Sequence, residues 1–327
     1  MRKVKIPSAI LKSHGNAFAA YVEKAFTDIL STYRRDAAYR EYLHCLTIDP
    51  ADLAKKQSIV VRNIKALASV VSAVDSVKNR YPGKDWSLLE NSLKRKINYD
   101  YRFVNGHNPE KWDTAQYING MIAAGLVYCP YCNRHPLEAY PSDGKTHKGP
   151  LDHFYDKDRY PYLALSIYNL IPVCDQCNHE KWTKRTSLNS HSHPFYDDFH
   201  KLVVFSVPDK PLGVLYGEQE KCVITMSSKQ KRRSSAALQL ADEVKLISRY
   251  NTGDGGRIAR SVYNKGVRYR VSTIRDLQRL AKDDRRPEDV YTDLFEVRPD
   301  GSDINMRHYG KLRNDLMPNS LKTRPNK

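Results

Sequence analysis

The stretch "LDHFYDKDRYPYLALSIYNLIPVCDQCNHEK", residues 151–181, decides how the rest of the chain is read. It opens on an Asp–His pair, passes Asn169 and the run Leu170–Val173, and closes on a Cys-x-x-Cys pair followed at once by Asn178. Asp152 and His153 are neighbours on a predicted strand, so their side chains leave on opposite faces. A twisted or bulged hairpin still lets both border one cleft.

The closing cysteine pair has a counterpart upstream. Cys129 and Cys132 form one Cys-x-x-Cys unit, Cys174 and Cys177 the other, while Cys45 and Cys222 stand alone. Zinc takes four ligands in a tetrahedron, and thiolates suit it. The four paired cysteines therefore read as a closed structural zinc site. A disulfide framework is not needed by a chain of 327 residues, which can build its own core. A redox pair would need no second unit, and an iron–sulfur cluster is the remaining alternative for four thiols. The long spacing between the pairs requires a compact module, and the quoted stretch lies within it.

Phosphodiester hydrolysis needs a base to deprotonate water and a cation to offset charge on the phosphate. Histidine suits the first task, since its ordinary pKa lies near working pH. A hard divalent ion held by oxygen ligands suits the second, and Asp152 and the Asn178 amide oxygen offer such ligands. In this order, "LDHFYD…YNLIPVCDQCNHEK" resembles the HNH, or ββα-metal, endonuclease motif over roughly Tyr128–Trp182. That family places Asp-His on the second strand of a hairpin, an Asn in the loop and a His or Asn at the start of a helix. The resemblance implies His153 as general base, Asp152 and Asn178 as ligands of Mg²⁺ or Mn²⁺, and Asn169 as the residue tying the loop to the hairpin. Two departures stand out. Asp156 replaces a common proline three residues after the His, and the helix ligand is Asn, with His179 as a neighbour about 100° away around the helix. Lys181, Lys184 and Arg185 read as phosphate contacts or as an ordinary basic helix face. His191, His193 and His200 read as a surface turn or as further metal ligands.

The whole chain fits a polyanionic partner. It holds 54 Lys+Arg against 37 Asp+Glu, a formal charge of +17. DNA is the expected partner, with RNA the alternative, and a basic binding module without catalysis is the rival reading. No apolar run reaches the roughly 18–20 residues that could span a membrane, and "MRKVKIPSAILKSHGNAF" lacks the apolar centre of a secretory signal. The expected location is the cytoplasm.

The expected fold class is α+β, mainly helical with a central zinc-stapled nuclease module. Residues 1–125 read as a helical region, with a leading strand at 2–7 and helices over 17–33, 49–77, 85–97 and 113–125. Residues 126–200 form the module: a cysteine knuckle, a strand, a Ser-Asp-Gly turn and a second strand, then short helices from Tyr160 and Cys174. Residues 201–327 read as short strands, including "PLGVLYG", then helices over 234–250 and 255–284 and a disordered tail from Met317. Ile258, Val262, Val267, Val271 and Ile274 make an apolar stripe there among six arginines (Arg257, Arg260, Arg268, Arg270, Arg275 and Arg279). The stapled core, the following "HPFYDDF" and the helical flanks are also similar to HNH nucleases of anti-phage systems of the Septu and retron-associated types. This similarity implies a controlling ABC-like ATPase as partner.

Overall fold

The computed structural model describes residues 1–49, 51, 56–142, 145–181, 185–208, 222–282 and 284–322. Within them the chain is α+β and mainly helical, with three two-stranded antiparallel sheets.

Helix α1 (Ser8–Thr32) turns Phe18, Val22, Phe26 and Ile29 to the core at helical spacing. Helix α2 (Ala37–His44), which the sequence reading missed, is capped by the Asp36 carboxylate accepting from the Tyr39 N–H. Of the predicted helix over 49–77, residues 50 and 52–55 lie outside the described residues, and the described helix is α3 (Ile64–Arg80), opened by the Asn63 side chain accepting from the N–H groups of Lys65 and Ala66. Residues 56–63 dock as irregular chain instead. Ile59 and Val60 are fully buried there, and Arg62 donates to the carbonyls of Gln57 and Thr47. Helices α4 (Ser87–Ile97) and α5 (Thr114–Ala123) follow the apolar pattern, and Asp113 with Gln116 forms a capping box on α5. Residues 2–7 join no sheet. They are pinned by the Val4 N–H donating to the Pro194 carbonyl at 2.9 Å.

In the middle third, β1 (Ala139–Ser142) pairs with β2 (Lys145–Lys148). Asp143 and Gly144 of the predicted turn lie outside the described residues. Strand β3 (Leu151–His153) pairs with β4 (Leu170–Pro172), placing Asp152 opposite Ile171 and His153 opposite Leu170. The expected hairpin partner upstream of Asp152–His153 is thus replaced by a downstream one. Strand β4 is buried throughout, and such an apolar strand needs its backbone paired where water cannot reach it. Between β3 and β4 the predicted helix from Tyr160 resolves into two 3₁₀ turns, Pro161–Leu163 and Ile167–Asn169. Helix α6 (Asp175–Lys181) follows β4 directly.

The last third holds α7 (Phe199–Leu202) and the pair β5 (Val203–Ser206) with β6 (Thr225–Ser228). "PLGVLYG" lies outside the described residues. The predicted helix over 234–250 breaks at Lys245, which takes the left-handed conformation at φ 53°, into α8 (Ser234–Glu243) and α9 (Leu246–Thr252). The next breaks at Tyr269–Arg270 into α10 (Gly255–Arg268) and α11 (Val271–Ala281). The stripe is only partly kept: Ile258, Val262 and Ile274 are buried, whereas Val267, five residues and about 140° around the helix from Val262, is 51% exposed. Then come α12 (Pro287–Phe295), α13 (Gly310–Leu316) and α14 (Asn319–Lys322). The start of the predicted disordered tail is packed, with Met317 and Leu321 buried, and residues 323–327 lie outside the described residues. No helix among the described residues is long and apolar enough to cross a membrane.

One apolar cluster runs from Met1 to Leu321 and surrounds the segment between β3 and β4. The N-terminal helices grip that segment by its backbone. The Tyr117 hydroxyl donates to the Leu170 carbonyl at 2.9 Å, the Ile167 N–H donates to Val60 at 2.9 Å, and the His14 ring meets the Leu165 carbonyl at 2.8 Å.

Candidate active site and tetracysteine centre

The four sulfurs of Cys129, Cys132, Cys174 and Cys177 lie within 4.8 Å of one another, and all four residues are buried. The Cys132 and Cys174 sulfurs are 3.8 Å apart. A tetrahedron with Zn–S bonds of about 2.3 Å has edges of about 3.8 Å, so the quartet can hold a metal such as zinc. Hydrogen bonding from Cys129 and the nearby sulfurs hold the Cys132 thiol well below its ordinary range. A cation stands ready to balance that charge: Arg249 of α9 donates to the Cys177 sulfur at 3.0 Å and to the Gln176 amide at 2.8 Å.

The first knuckle is held from the far end of the chain. Asn133 sits at φ 54° and is fully buried. Its amide donates to the carbonyls of Ile304 and Arg307 and accepts from the Lys311 N–H at 2.9 Å. The Tyr250 hydroxyl donates to the Cys132 carbonyl at 2.6 Å. The second knuckle opens α6. The staple therefore fixes where α6 starts relative to β3.

On β3 the two candidate side chains separate as alternation requires, Asp152 buried and His153 half-buried. His153 Nε2 lies 3.2 Å from the Ala164 carbonyl. A carbonyl only accepts, so Nε2 carries the hydrogen and Nδ1 keeps its lone pair. Burial first, then the Lys157 charge, lowers the imidazole pKa to about 4, away from the near-neutral value expected from sequence. The Tyr99 ring packs edge-on to His153 with centroids 4.7 Å apart. Tyr99 follows Asn98, which is left-handed at φ 43°, and precedes a π-helical turn over Asp100–Val104. A cleft of about 170 Å³ opens beside this pair, lined by Lys94, Asn98, Tyr99, Lys157, Pro161 and Ala164 among others.

Asn169 ties residues 155 and 163 together from the end of the loop. It is fully buried, accepts from the Tyr155 N–H at 2.7 Å, and donates to the carbonyls of Tyr155 and Leu163. It thereby fixes the turn that presents the Ala164 carbonyl to His153. Asn178 is half-buried on α6, and its side chain makes no hydrogen bond among the described residues. His179 is exposed on another face. Asp156, in place of proline, closes a turn by accepting from the Asp158 N–H at 2.6 Å.

Lys181 is not where the sequence put it. It is 3% exposed, and its ammonium lies 2.9 and 2.8 Å from the two carboxylate oxygens of Asp152 and 3.3 Å from the His153 carbonyl. The Tyr131 hydroxyl donates to Asp152 at 2.6 Å. Lys181 lies three residues beyond Asn178, one turn along the same face of α6. Asp152 and Asn178 therefore supply hard oxygen donors of the kind a divalent ion takes, with the carboxylate already engaged by an ammonium. Arg185 is exposed, and Lys184 lies outside the described residues.

The surface-turn reading of the histidine tract is overturned. His191 is buried against Glu243 at 2.8 Å, and His193 is buried edge-on to Phe154 with centroids 4.5 Å apart. His200 is half-buried, 3.8 Å from Asp315. Among the described residues, the four cysteines alone form a cluster of His, Cys, Asp or Glu with metal-binding geometry. Sequence reading missed Tyr99 and Tyr131, since nothing in a lone aromatic says which side chain it meets. No family model, curated protein or solved structure matches the chain.

Proposed function

We propose that the chain is a metal-dependent endonuclease of the HNH type that hydrolyses phosphodiester bonds of DNA. One observation carries this reading. Strands β3 and β4 and helix α6 are consecutive, the strands are antiparallel, and both knuckles brace them, with Asp152 and His153 on β3, Asn169 entering β4 and Asn178 on α6. His153 Nδ1 takes the proton of the attacking water. The Ala164 carbonyl holds the ring, and Asn169 holds the turn that carries Ala164. Asp152 and Asn178 would hold a divalent ion, which when bound supplies charge compensation at the phosphate and leaving oxygen. The net charge of +17 supports a polyanionic substrate. The wider similarity to anti-phage nucleases supports a defence role beside an ABC-like ATPase.

Supercoiled plasmid with Mg²⁺ or Mn²⁺ tests the reading directly. The zinc-loaded chain nicks or linearises it, EDTA stops the reaction, and His153→Ala slows it at least about 100-fold. A His153→Ala variant as fast as the parent would sink the mechanism. Labelled single-stranded RNA in a parallel lane separates a DNA nuclease from an RNA-directed toxin on the same site.

A second reading is a nucleic-acid-binding module without catalysis. The engagement of both Asp152 oxygens by Lys181 and Tyr131 favours it. It predicts salt-sensitive binding with no cleavage under any divalent ion.

A further inference from the structure

We propose that the Lys181 ammonium is a tethered counter-cation that a divalent ion must displace to reach Asp152. Metal affinity at this centre is then set by a competitor built into the chain. The inference rests on the endonuclease reading and adds a control to its metal step.

The ammonium is fully accommodated. Its three N–H donors face three oxygens: the two of Asp152 at 2.9 and 2.8 Å and the His153 carbonyl at 3.3 Å. The Phe154 ring lies beneath it, with the centroid 5.5 Å away. Tyr131 supplies a further hydrogen bond to Asp152 at 2.6 Å. Lys181 is 3% and Asp152 6% exposed, so solvent does little to screen a second cation brought to the same carboxylate. A dication and this ammonium repel at that distance, and one must leave. Lys181 is the last residue of α6 and has a flexible four-carbon stem, so its head can move without unwinding the helix. Asn178 lies one turn earlier on the same face of α6, its side chain without a hydrogen bond among the described residues, and offers an amide oxygen to the ion as the ammonium departs.

Mn²⁺ titration of the zinc-loaded full chain by calorimetry tests this, with binding rather than cleavage as readout. Lys181→Met binds Mn²⁺ at least tenfold more tightly than the parent, and Asp152→Asn removes that gain. Lys181→Arg, which keeps the charge, binds no more tightly than the parent. Without Mn²⁺, Lys181→Met melts below the parent, because it leaves Asp152 buried and unpaired, and Mn²⁺ raises its melting temperature more than the parent's. Should Lys181→Met not fold, the parent itself is read by NMR. The slowly exchanging Lys181 ammonium signal should fade as Mg²⁺ is added. Two results overturn the proposal while sparing the nuclease reading: Asp152-dependent Mn²⁺ binding that Lys181→Met leaves unchanged or weakens, or an ammonium signal that persists at saturating Mg²⁺. Absence of any Asp152-dependent binding overturns both.

Discussion

The guanidinium of Arg249 donates to the sulfur of Cys177 across 72 residues of chain, at 3.0 Å. It offsets thiolate charge at the tetracysteine centre from outside. The chain should purify with one zinc, and Cys174→Ser should lose it. Arg249→Met should keep the zinc but release it about 10–100-fold more readily to a metallochromic chelator. Release at the parental rate would make Arg249 a packing residue only.

Asn133 joins the first knuckle to residues 304–311 through three hydrogen bonds of its fully buried side chain. It also holds a left-handed backbone that Asn tolerates better than Ala does. Asn133→Ala should cost about 3 kcal/mol or more in urea unfolding. Asn133→Gly should cost less, because the backbone strain is gone and only the bonds are lost.

Asn169 makes three bonds that define the turn before Ala164. Asn169→Asp keeps the acceptor for the Tyr155 N–H but turns a donor into a carboxylate facing two carbonyls. It should destabilise the fold by about 2–4 kcal/mol. If the nuclease reading holds, plasmid cleavage should fall at least tenfold at a temperature where the variant is still folded.

His14 gives the stability a pH dependence. Its Nε2 lies 2.8 Å from the Leu165 carbonyl, and Nδ1 accepts from the Trp112 indole at 3.2 Å, which only the neutral ring can do. Burial lowers its pKa from 6.5 to about 4. The unfolded chain therefore takes up this proton first as the pH falls. The contribution is complete above pH 6.5 and is lost on the way down to about pH 4, amounting to roughly 3 kcal/mol. Melting temperatures between pH 7 and 4.5 should fall steeply in the parent and less steeply in His14→Gln.

What the sequence disclosed and what it hid divide along a physical line. The cysteine quartet was legible because metal chemistry imposes ligand type and local spacing, and the structure closes it within 4.8 Å. Helices α1, α4 and α5 were legible from apolar spacing. The mainly helical α+β class followed from the same pattern. The pairing of β3 with β4 was not, since sixteen intervening residues fold back through two 3₁₀ turns that leave no period. Helix breaks at Lys245 and Tyr269 escaped because neither position carries Gly or Pro. Lys181 was legible as a residue worth noting but not as a buried ion. A basic side chain shows its partner only once α6 is set against β3.

The dependence of the first knuckle on Asn133's distant partners has a consequence for the order of events during synthesis. All four sulfurs have been translated by Cys177, yet Arg249, Tyr250 and the 304–311 segment that cover them come much later. At roughly 5–20 residues per second the thiols wait on the order of 10 s without their cover. In that interval the nascent chain is a bare chelator, and whichever arrives first, metal or oxidant, decides whether the last third of the protein has a surface to close upon.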